Sequence, residues 1–487
     1  MSSTQNSPAS QAGLSAAGEL AIASLVKRAP LASSLAGAFK EKGFTLALVG
    51  GPVRDALLGR LGNDLDFTTS APPLETKKIL QKWAENVWDT GIEFGTVAAK
   101  RGQTTVEITT YRSESYSSDS RKPDVTYGKT IEGDLSRRDF TVNSMALELT
   151  GKSPEFIDPF DGLVDLAKKV LRTPGKPEDS FNDDPLRMLR AARFASQLNF
   201  EIAPDVLAAM QSMAGRLEII SAERIRDEII KLLMSPKPRT GVTILVETGL
   251  ADIALPEIPK LRLEVDEHHH HKDVYEHSIT VLEQAIALED RLGGPNLVIR
   301  LAALLHDIGK PKTRALLEGG GVSFHHHEVV GARLAKTRLK ALRFNGETIE
   351  EVETLIALHL RFHGYGDGEW TDSAVRRYVR DAGPLLTHLH VLTRADCTTR
   401  NARKAARLAA TYDSLEERIV ALMAQEELSK IRPDLDGGEV MSLLGIKPGA
   451  DVGRALDFLL ELRMDEGPLG KEKATELLLD WWAKQQG

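Results

Sequence analysis

The chain has 487 residues, with 62 Lys and Arg against 70 Asp and Glu for a formal net charge of -8, and it is 42% hydrophobic and 27% charged. That length exceeds what one hydrophobic core serves, so several domains are expected, and no apolar run reaches the ~20 residues of a membrane span. The acidic balance argues against nonspecific coating of polyanions while leaving room for a local basic groove, and a single cysteine, Cys397, speaks against a disulfide framework and for a reducing, cytoplasmic setting.

The first 28 residues are Ser/Ala-rich and lack the basic region and apolar run of a secretory signal, so a disordered lead-in is expected. From there to about Leu149 short β-rich runs alternate with helical ones. "FTLALV" (residues 44–49) reads as a buried strand and "PVRDALLGR" (52–60) as the helix after it, with Gly50 and Gly51 between them. Glycines there let the backbone approach a ligand closely, and helix-terminal amides can receive phosphate, although an ordinary tight turn has the same spelling.

"LDFTT" (65–69) is the next strand. In "DLDF" (64–67) Asp64 and Asp66, two residues apart along the strand, point the same way and stand about 7 Å apart at their Cα atoms. Parallel carboxylates repel unless a cation lies between them, and this hard-oxygen set suits Mg²⁺ carrying a nucleotide; a solvated strand end is the plainer reading. "PLETKKILQKWAENV" (73–87) reads as a helix, and "GTVAAK" (95–100) and "TTVEITTYR" (104–112) as strands. Glu107 alternates with Val106 and Ile108, so it faces either the same metals or solvent. Two metals at such a site would activate a 3′-hydroxyl and neutralise a triphosphate during in-line attack.

A long polar loop through "SSDSRKPDV" (117–125) precedes "LSRRDFTVNSMAL" (135–147), where Arg137 and Arg138 suit phosphate forks, Asp139 a ribose hydroxyl and Asn143 a base or the backbone. A Pro/Gly-bearing joint, "RTPGKPEDSFND" (172–183), leads to an amphipathic helix in "FNDDPLRMLRAARFASQLNF" (181–200). There Asn182 or Asp183 can cap, and Asp184, Arg187 and Arg190 recur every three residues on one face. An acceptor beside a planar donor fork is what reading a base edge requires; a salt-bridged helix surface is the bland alternative. From Asp184 onward helical periodicity dominates.

All 13 histidines lie at or after His268. His306 and Asp307 follow an apolar helix in "LAALLHDIGKPKT" (301–313), and His277 upstream with Asp396 downstream can complete an N/O metal ligand set. His327, with His359 or His363, can hold a second ion. The tract His268–His271 reads as a surface linker. Near the end, Pro448, Gly449 and Gly453 open a helix, and "LLLDWW" (477–482) reads as core.

Taken together, "GGPVRDALLGRLGNDLDF", "RRDFTVNSMAL", "DPFDGLVDLAKKVLRTP", "NDDPLRMLRAARF" and "ERIRDEIIKLL", in this order, resemble the class II tRNA nucleotidyltransferases, the CCA-adding enzymes, and the related bacterial poly(A) polymerases. "VYEHSITVLEQA", "LAALLHDIGKPKT", "FHHHEVVGARLA" and "LTRADCTTRN" resemble the HD metal-dependent phosphohydrolase domain. The resemblance implies an α+β fold: a DNA polymerase beta-like nucleotidyltransferase head at 29–172, a helical neck and RNA-binding region at 173–262, a helical HD domain at 263–402 and a tRNA-binding helical tail at 403–487. It implies Mg²⁺ on Asp64 and Asp66, with Glu107 as a third catalytic carboxylate. Nucleotide binding would fall to Gly50, Gly51, Arg54, Asp55, Arg138, Asp139, Asn143, Asp184, Arg187 and Arg190, the pair Asp184 and Arg187 reading the base. The HD metal would be held by His277, His306, Asp307, His327 and Asp396. Implied partners are tRNA, CTP and ATP. The family usually has Glu-Asp where this chain has Asp183-Asp184, so Asp183 is given no base-reading role. "DTGIEFGTVAA" (89–99) looks like the CCA-adding form. A poly(A) polymerase, or an HD phosphohydrolase with a non-catalytic RNA-binding head, are the alternatives.

Overall fold

The computed structural model describes residues 29–89, 91–115, 124–128, 130–263, 265–266, 272–316, 322–365, 370–399, 401–426 and 432–486. The expected lead-in at 1–28, most of the polar loop (116–123) and the His268–His271 tract lie outside the described residues. Two compact units, divided between Pro256 and Glu257, account for the chain.

The first unit is built on a seven-stranded mixed sheet of order β3-β4-β5-β2-β1-β8-β9. Its strands are β1 (Leu46–Val49), β2 (Asp64–Thr69), β3 (Asn86–Trp88), β4 (Thr96–Arg101), β5 (Thr104–Thr110), β8 (Ala146–Glu148) and β9 (Glu155–Ile157), while β6 (Arg112–Ser115) and β7 (Asp124–Tyr127) form a separate hairpin. Helix α1 (Ala29–Lys40) contributes the buried Leu35 and Phe39 to this unit, and α2 (Gly51–Leu57) follows β1. Every residue of β1 is buried. In β2 the burial changes along the strand: Phe67, Thr68 and Thr69 are in the core, while Asp64 and Asp66 stand at its open end. Hydrophobic burial thus anchors one half of β2 and leaves the other to carry charge.

The helix expected over 73–87 stops early. Helix α3 is Pro73–Trp83; Ala84 turns extended, and Asn86–Trp88 pairs antiparallel with β4 at the sheet edge. The waiting edge of β4 and the β-forming side chains of Val87 and Trp88 override local helical periodicity. The expected joint at 172–183 is likewise partly helical, with Pro177 opening α6 (Pro177–Asp183), where its missing N–H is tolerated. Helices α4 (Ile131–Leu135) and α5 (Gly162–Lys168) precede it. Neither Asn182 nor Asp183 caps the next helix, α7 (Leu186–Leu198); both lie within α6, and Asp184 Oδ1 accepts the Leu186 N–H instead at 3.1 Å. Helix α8 (Pro204–Met213) follows, then α9 (Ala222–Leu233) and α10 (Pro238–Glu247), which both pack on α7. Short α11 (Ala251–Ala254) closes the unit.

In the second unit the only strands among the described residues are two-residue pairs. Helices α12 (Val274–Ala287), α13 (Leu297–Leu305), α14 (Lys310–Thr313), α15 (His327–Ala341), α16 (Gly346–Leu358), α17 (Asp372–Ala382) and α18 (Leu386–Asp396) lead into the 25-residue α19 (Ala402–Glu426). Three more, α20 (Gly437–Leu444), α21 (Ala450–Glu466) and α22 (Lys471–Gln486), share a small core of Leu435, Val440, Ala455, Leu459, Ala474 and Leu478. Trp481 stacks on Phe458 there, as expected for core rather than a platform.

Candidate active site and metal centre

The turn after β1 is set by Gly50. Its φ of 73° is in the left-handed region, and a Cβ there would lie 2.7 Å from Arg138 Nη1, so only glycine fits beside that guanidinium. Four residues on, Arg54 is buried rather than open to a ligand. It forks onto Asp55 through Nε and Nη2, both at 3.0 Å, and Nη1 donates to Asn143 Oδ1 at 2.5 Å. Its guanidinium also lies over the Phe194 ring at 5.2 Å. Asn143 passes the chain on, donating Nδ2 to Asp139 Oδ1 at 2.9 Å, and Asp139 Oδ2 accepts from Arg190 Nε and Nη2 at 2.8 and 2.6 Å. Burial alone would raise the Asp139 carboxyl, but the Arg190 charge, the hydrogen bonds from Asn143 and Arg190, and the charge of Arg187 hold it well below the usual range.

The carboxylates meet as the alternation requires. Asp66 on β2 is the parallel register partner of Glu107 on β5, with Asp64 two residues away on the same face. Burial, then the charge of Glu107, push the Asp66 carboxyl up to about 6; Arg138 opposes and Asp64 adds to the rise. Three acidic groups this close, one of them strained toward protonation, fit a divalent cation: positive charge here would relieve the repulsion.

A cleft of about 510 Å³ is lined by Asp66 and Glu107 together with Arg137, Arg138, Asp139, Asp184, Arg187 and Arg224. Asp184 and Arg187 are both engaged. Asp184 Oδ2 accepts from Arg224 Nη2 at 2.7 Å, while Arg187 donates to Ser180 O and Oγ at 3.2 and 2.9 Å and to Arg137 O at 2.5 Å. Arg138, at 3.3 Å from Asp134 Oδ2, keeps a buried Nε without a hydrogen-bond partner. Of the expected site residues, Asp66, Glu107, Arg138, Asp139, Asp184, Arg187 and Arg190 line the cleft. Asp64, Gly50, Gly51 and Asp55 are not among its lining residues, and neither are Arg54 and Asn143, which are buried interior links.

Sequence reasoning missed Glu228 and Arg224, both in "ERIRDEIIKLL". Glu228 is buried and accepts Arg193 Nε at 2.6 Å with Arg190 Nη1 at 3.6 Å, so α9 braces α7. The signal was present: an Arg and a Glu four residues apart, the Glu among apolar neighbours, mark a helix face that is charged yet inward.

In the second unit, His277 on α12, His306 and Asp307 after α13, His327 opening α15, His359 after α16 and Asp396 ending α18 converge. The ligand atoms of His277, His306 and Asp396 lie within 4.8 Å of one another, as do those of Asp307, His327 and His359. Three of the rings face the same way chemically. Nδ1 of His306, His327 and His359 lies 2.9, 2.8 and 2.6 Å from the carbonyls of Ala303, Phe324 and Ile356, and a carbonyl only accepts, so Nδ1 is the donor. Each Nε2 therefore points inward. Nε2 of His327 and His359 are buried without hydrogen-bond partners. Inward imidazole acceptors and carboxylates converging in two sets of three fit metal ions. Gly309 makes the convergence possible: a Cβ there would lie 2.1 Å from His327 O.

Without an ion, a proton on His306 takes up the acidic charge that a metal would otherwise meet. Burial opposes it, but the Asp307 charge and hydrogen bonds to Asp307 and Asp396 raise the His306 ring to about 10. His359, buried and facing His306, is pushed down to about 3. Lys310 Nζ lies 2.8 Å from Asp307 Oδ2. All five expected HD ligands are in the cluster, and His359 joins them; the side chain of His363 lies outside the described residues.

Comparison with known proteins accords with this arrangement. Residues 46–172 match the Poly A polymerase head domain, 199–261 the probable RNA and SrmB-binding site of polymerase A, and 274–423 the HD domain. The A-adding tRNA nucleotidyltransferase of Deinococcus radiodurans is 32% identical over 446 residues, 90% of this chain and 96% of that one. The CCA-adding enzyme of Streptococcus thermophilus is 34% identical over 439 residues, covering 90% and 92%. Among solved structures, the Bacillus stearothermophilus CCA-adding enzyme in complex with CTP shares the fold with a TM-score of 0.65 over 93% of this chain and 98% of that one, at 24% identity. With relatives aligned over nearly their whole length, and a head, an RNA-binding region and an HD domain in that order, the chain belongs to the tRNA nucleotidyltransferase family of CCA-adding and A-adding enzymes.

Proposed function

We propose that this chain completes the CCA end of tRNA, adding C, C and A from CTP and ATP with release of pyrophosphate. The observation that carries the proposal is a single cleft lined both by the carboxylates Asp66 and Glu107 and by the engaged residues Asp184 and Arg187. Asp64 and Asp66, with Glu107, would hold Mg²⁺, which when bound supplies charge neutralisation for a triphosphate and acidifies a hydroxyl. Arg138, beside Gly50, takes phosphate oxygens. Arg190 holds Asp139 ionised and aimed at the sugar. Cytosine and adenine each present an exocyclic amine next to a ring nitrogen acceptor, so a carboxylate at Asp184 accepts from the amine while the Arg187 guanidinium donates to the ring nitrogen. Uracil and guanine present the reverse order and are refused. Arg54 and Asn143 position the turn from behind.

The name of the Deinococcus radiodurans relative supports a second reading, in which only the terminal A is added. Incubation with CTP, ATP and tRNAs ending before CCA or after CC, followed by sequencing of the 3′ ends, distinguishes the two, and a long A tail would mark a poly(A) polymerase.

For the second unit, the reading is a centre for two divalent cations that hydrolyses phosphate esters. His277, His306 and Asp396 would hold one ion and Asp307, His327 and His359 the other; bound together they would supply a nucleophilic water and charge neutralisation at phosphorus. Elemental analysis with Asp307→Ala as control tests it. The domain limits at 172, 262 and 402 remain part of the same proposal.

A further inference from the structure

Helix α6 ends where the proposed base readers begin. Ser180 O accepts the Asp184 N–H that closes the helix, at 3.1 Å, and the same carbonyl receives Arg187 Nη1 from the start of α7 at 3.2 Å. One oxygen therefore ties Asp184 and Arg187 together, and a cation at a helix C-terminus also meets the negative end of the helix dipole. Ser180 is buried, and its hydroxyl gives Nη1 a second acceptor at 2.9 Å. Arg187 Nη2 donates to Arg137 O at 2.5 Å. These bonds occupy at most three of the five guanidinium N–H groups, and Nε–H is not among them.

All of these acceptors are neutral, which sets Arg187 apart. Three other arginines lining the cleft, Arg138, Arg190 and Arg224, pair with Asp134, Asp139 and Asp184 at 3.3, 2.6 and 2.7 Å. A carboxylate orients a guanidinium and neutralises it; a hydroxyl or carbonyl orients it and leaves its charge for a ligand. Two of the three acceptors around Arg187 are main-chain carbonyls, so the Ser180 hydroxyl is the part of this cradle that the side chain sets. Asp184 is held separately, by the Leu186 N–H on Oδ1 and Arg224 on Oδ2.

We infer that Ser180 is a specificity-determining positioning residue: its hydroxyl orients Arg187 so that the remaining N–H groups meet the ring nitrogen of the incoming base, N3 of cytosine or N1 of adenine, with the guanidinium still charged. The inference rests on the base-reading role given to Asp184 and Arg187 above. A charged donor fixed in advance gains its full hydrogen bond on binding, whereas one that must first be ordered gives part of that gain back. Removing the Ser180 hydroxyl therefore loosens the donor half of the reader and leaves the acceptor half, Asp184, in place.

The test uses the full chain and Ser180→Ala, with Ser180→Thr as the variant that keeps a hydroxyl. CTP is compared with 3-deazacytidine triphosphate, which keeps the amine and has C–H in place of N3, and with zebularine triphosphate, which keeps N3 and lacks the amine. Each is read as Kd by titration and as kcat/KM in extension of a tRNA lacking its last three nucleotides. Wild type should lose about tenfold or more on either analogue, since either leaves a polar group of the site unpaired. In Ser180→Ala the penalty for the missing N3 should shrink to about twofold, while the penalty for the missing amine stays within about twofold of wild type. Ser180→Thr should restore the N3 penalty; if its extra methyl lowers Tm, the Ser180→Ala pattern decides alone. A full N3 penalty in Ser180→Ala overturns the inference, as does a Ser180→Thr variant of unchanged Tm that lacks that penalty. Both penalties shrinking together in Ser180→Ala would mark a general loosening of the site and also overturn it. A wild type indifferent to N3 would instead remove the base-reading role of Arg187, and the inference with it.

Discussion

Arg224 and Asp184 join across two helices: the Arg224 guanidinium on α9 holds Asp184 Oδ2 at 2.7 Å while the Leu186 N–H holds Oδ1. The carboxylate proposed to accept from the amine of C or A is thereby fixed in direction before a nucleotide arrives. Arg224→Ala should therefore weaken recognition more than folding. A charged hydrogen bond is worth about 1.5–3 kcal/mol, so KM for CTP and ATP should rise roughly tenfold or more, with misincorporation of U and G increasing. Steady-state kinetics with each of the four nucleotides checks this; a fall in kcat with unchanged KM and fidelity would contradict it.

Asp66 makes the metal response depend on pH. Its folded carboxyl titrates near 6, above the ordinary value of 3.8, so between these the folded state binds more protons than the unfolded one. By linkage, the stability of the metal-free protein falls as pH rises through that window, and the repulsion is fully present above about 6. A cation relieves it. Mg²⁺ should raise Tm more at pH 7.5 than at pH 5, and Asp66→Asn should flatten the difference and abolish nucleotide addition. Thermal scans with and without Mg²⁺ at both pH values give the answer.

Gly50→Ala combines a left-handed backbone with a contact at 2.7 Å to Arg138 Nη1. The backbone cost alone is on the order of 1–2 kcal/mol. Moving Arg138 adds a functional loss, so nucleotide addition should fall well over tenfold while Tm drops only a few degrees. A variant with normal activity would show that Arg138 is not held by this turn.

Two ions per chain are expected in the second unit, and Asp307 touches both ligand sets, with His306 and His327 each 3.3 Å from its oxygens. Asp307→Ala should lose both ions, and His359→Ala one. Elemental analysis after dialysis decides, with tRNA extension by the head as a control for folding.

Much of this was legible because it is local. Strand periodicity put Asp64 and Asp66 on one face and left Glu107 facing either them or solvent, and the doubled glycine marked the turn at Gly50. What was not legible depends on partners far along the chain. Trp88 joins the sheet because β4 offers an edge, not because of its own neighbours. Arg54 sits in a motif that reads as ligand-facing, yet Asn143, 89 residues away, draws it inward. The sequence offered His359 or His363 beside His327, and only the packing of α16 shows that the Nε2 of His359 meets Asp307 and His327. Glu228 carried a local signal, but its partners Arg190 and Arg193 lie 38 and 35 residues back and are given only by the fold.

The most direct measurement is extension of a tRNA lacking its last three nucleotides by the purified protein with Mg²⁺, CTP and ATP, read by sequencing the 3′ ends. The account predicts products that terminate at CCA, and none from the Asp64→Ala variant. Extension restricted to tRNA already ending in CC, a long A tail, or no extension at all would contradict it.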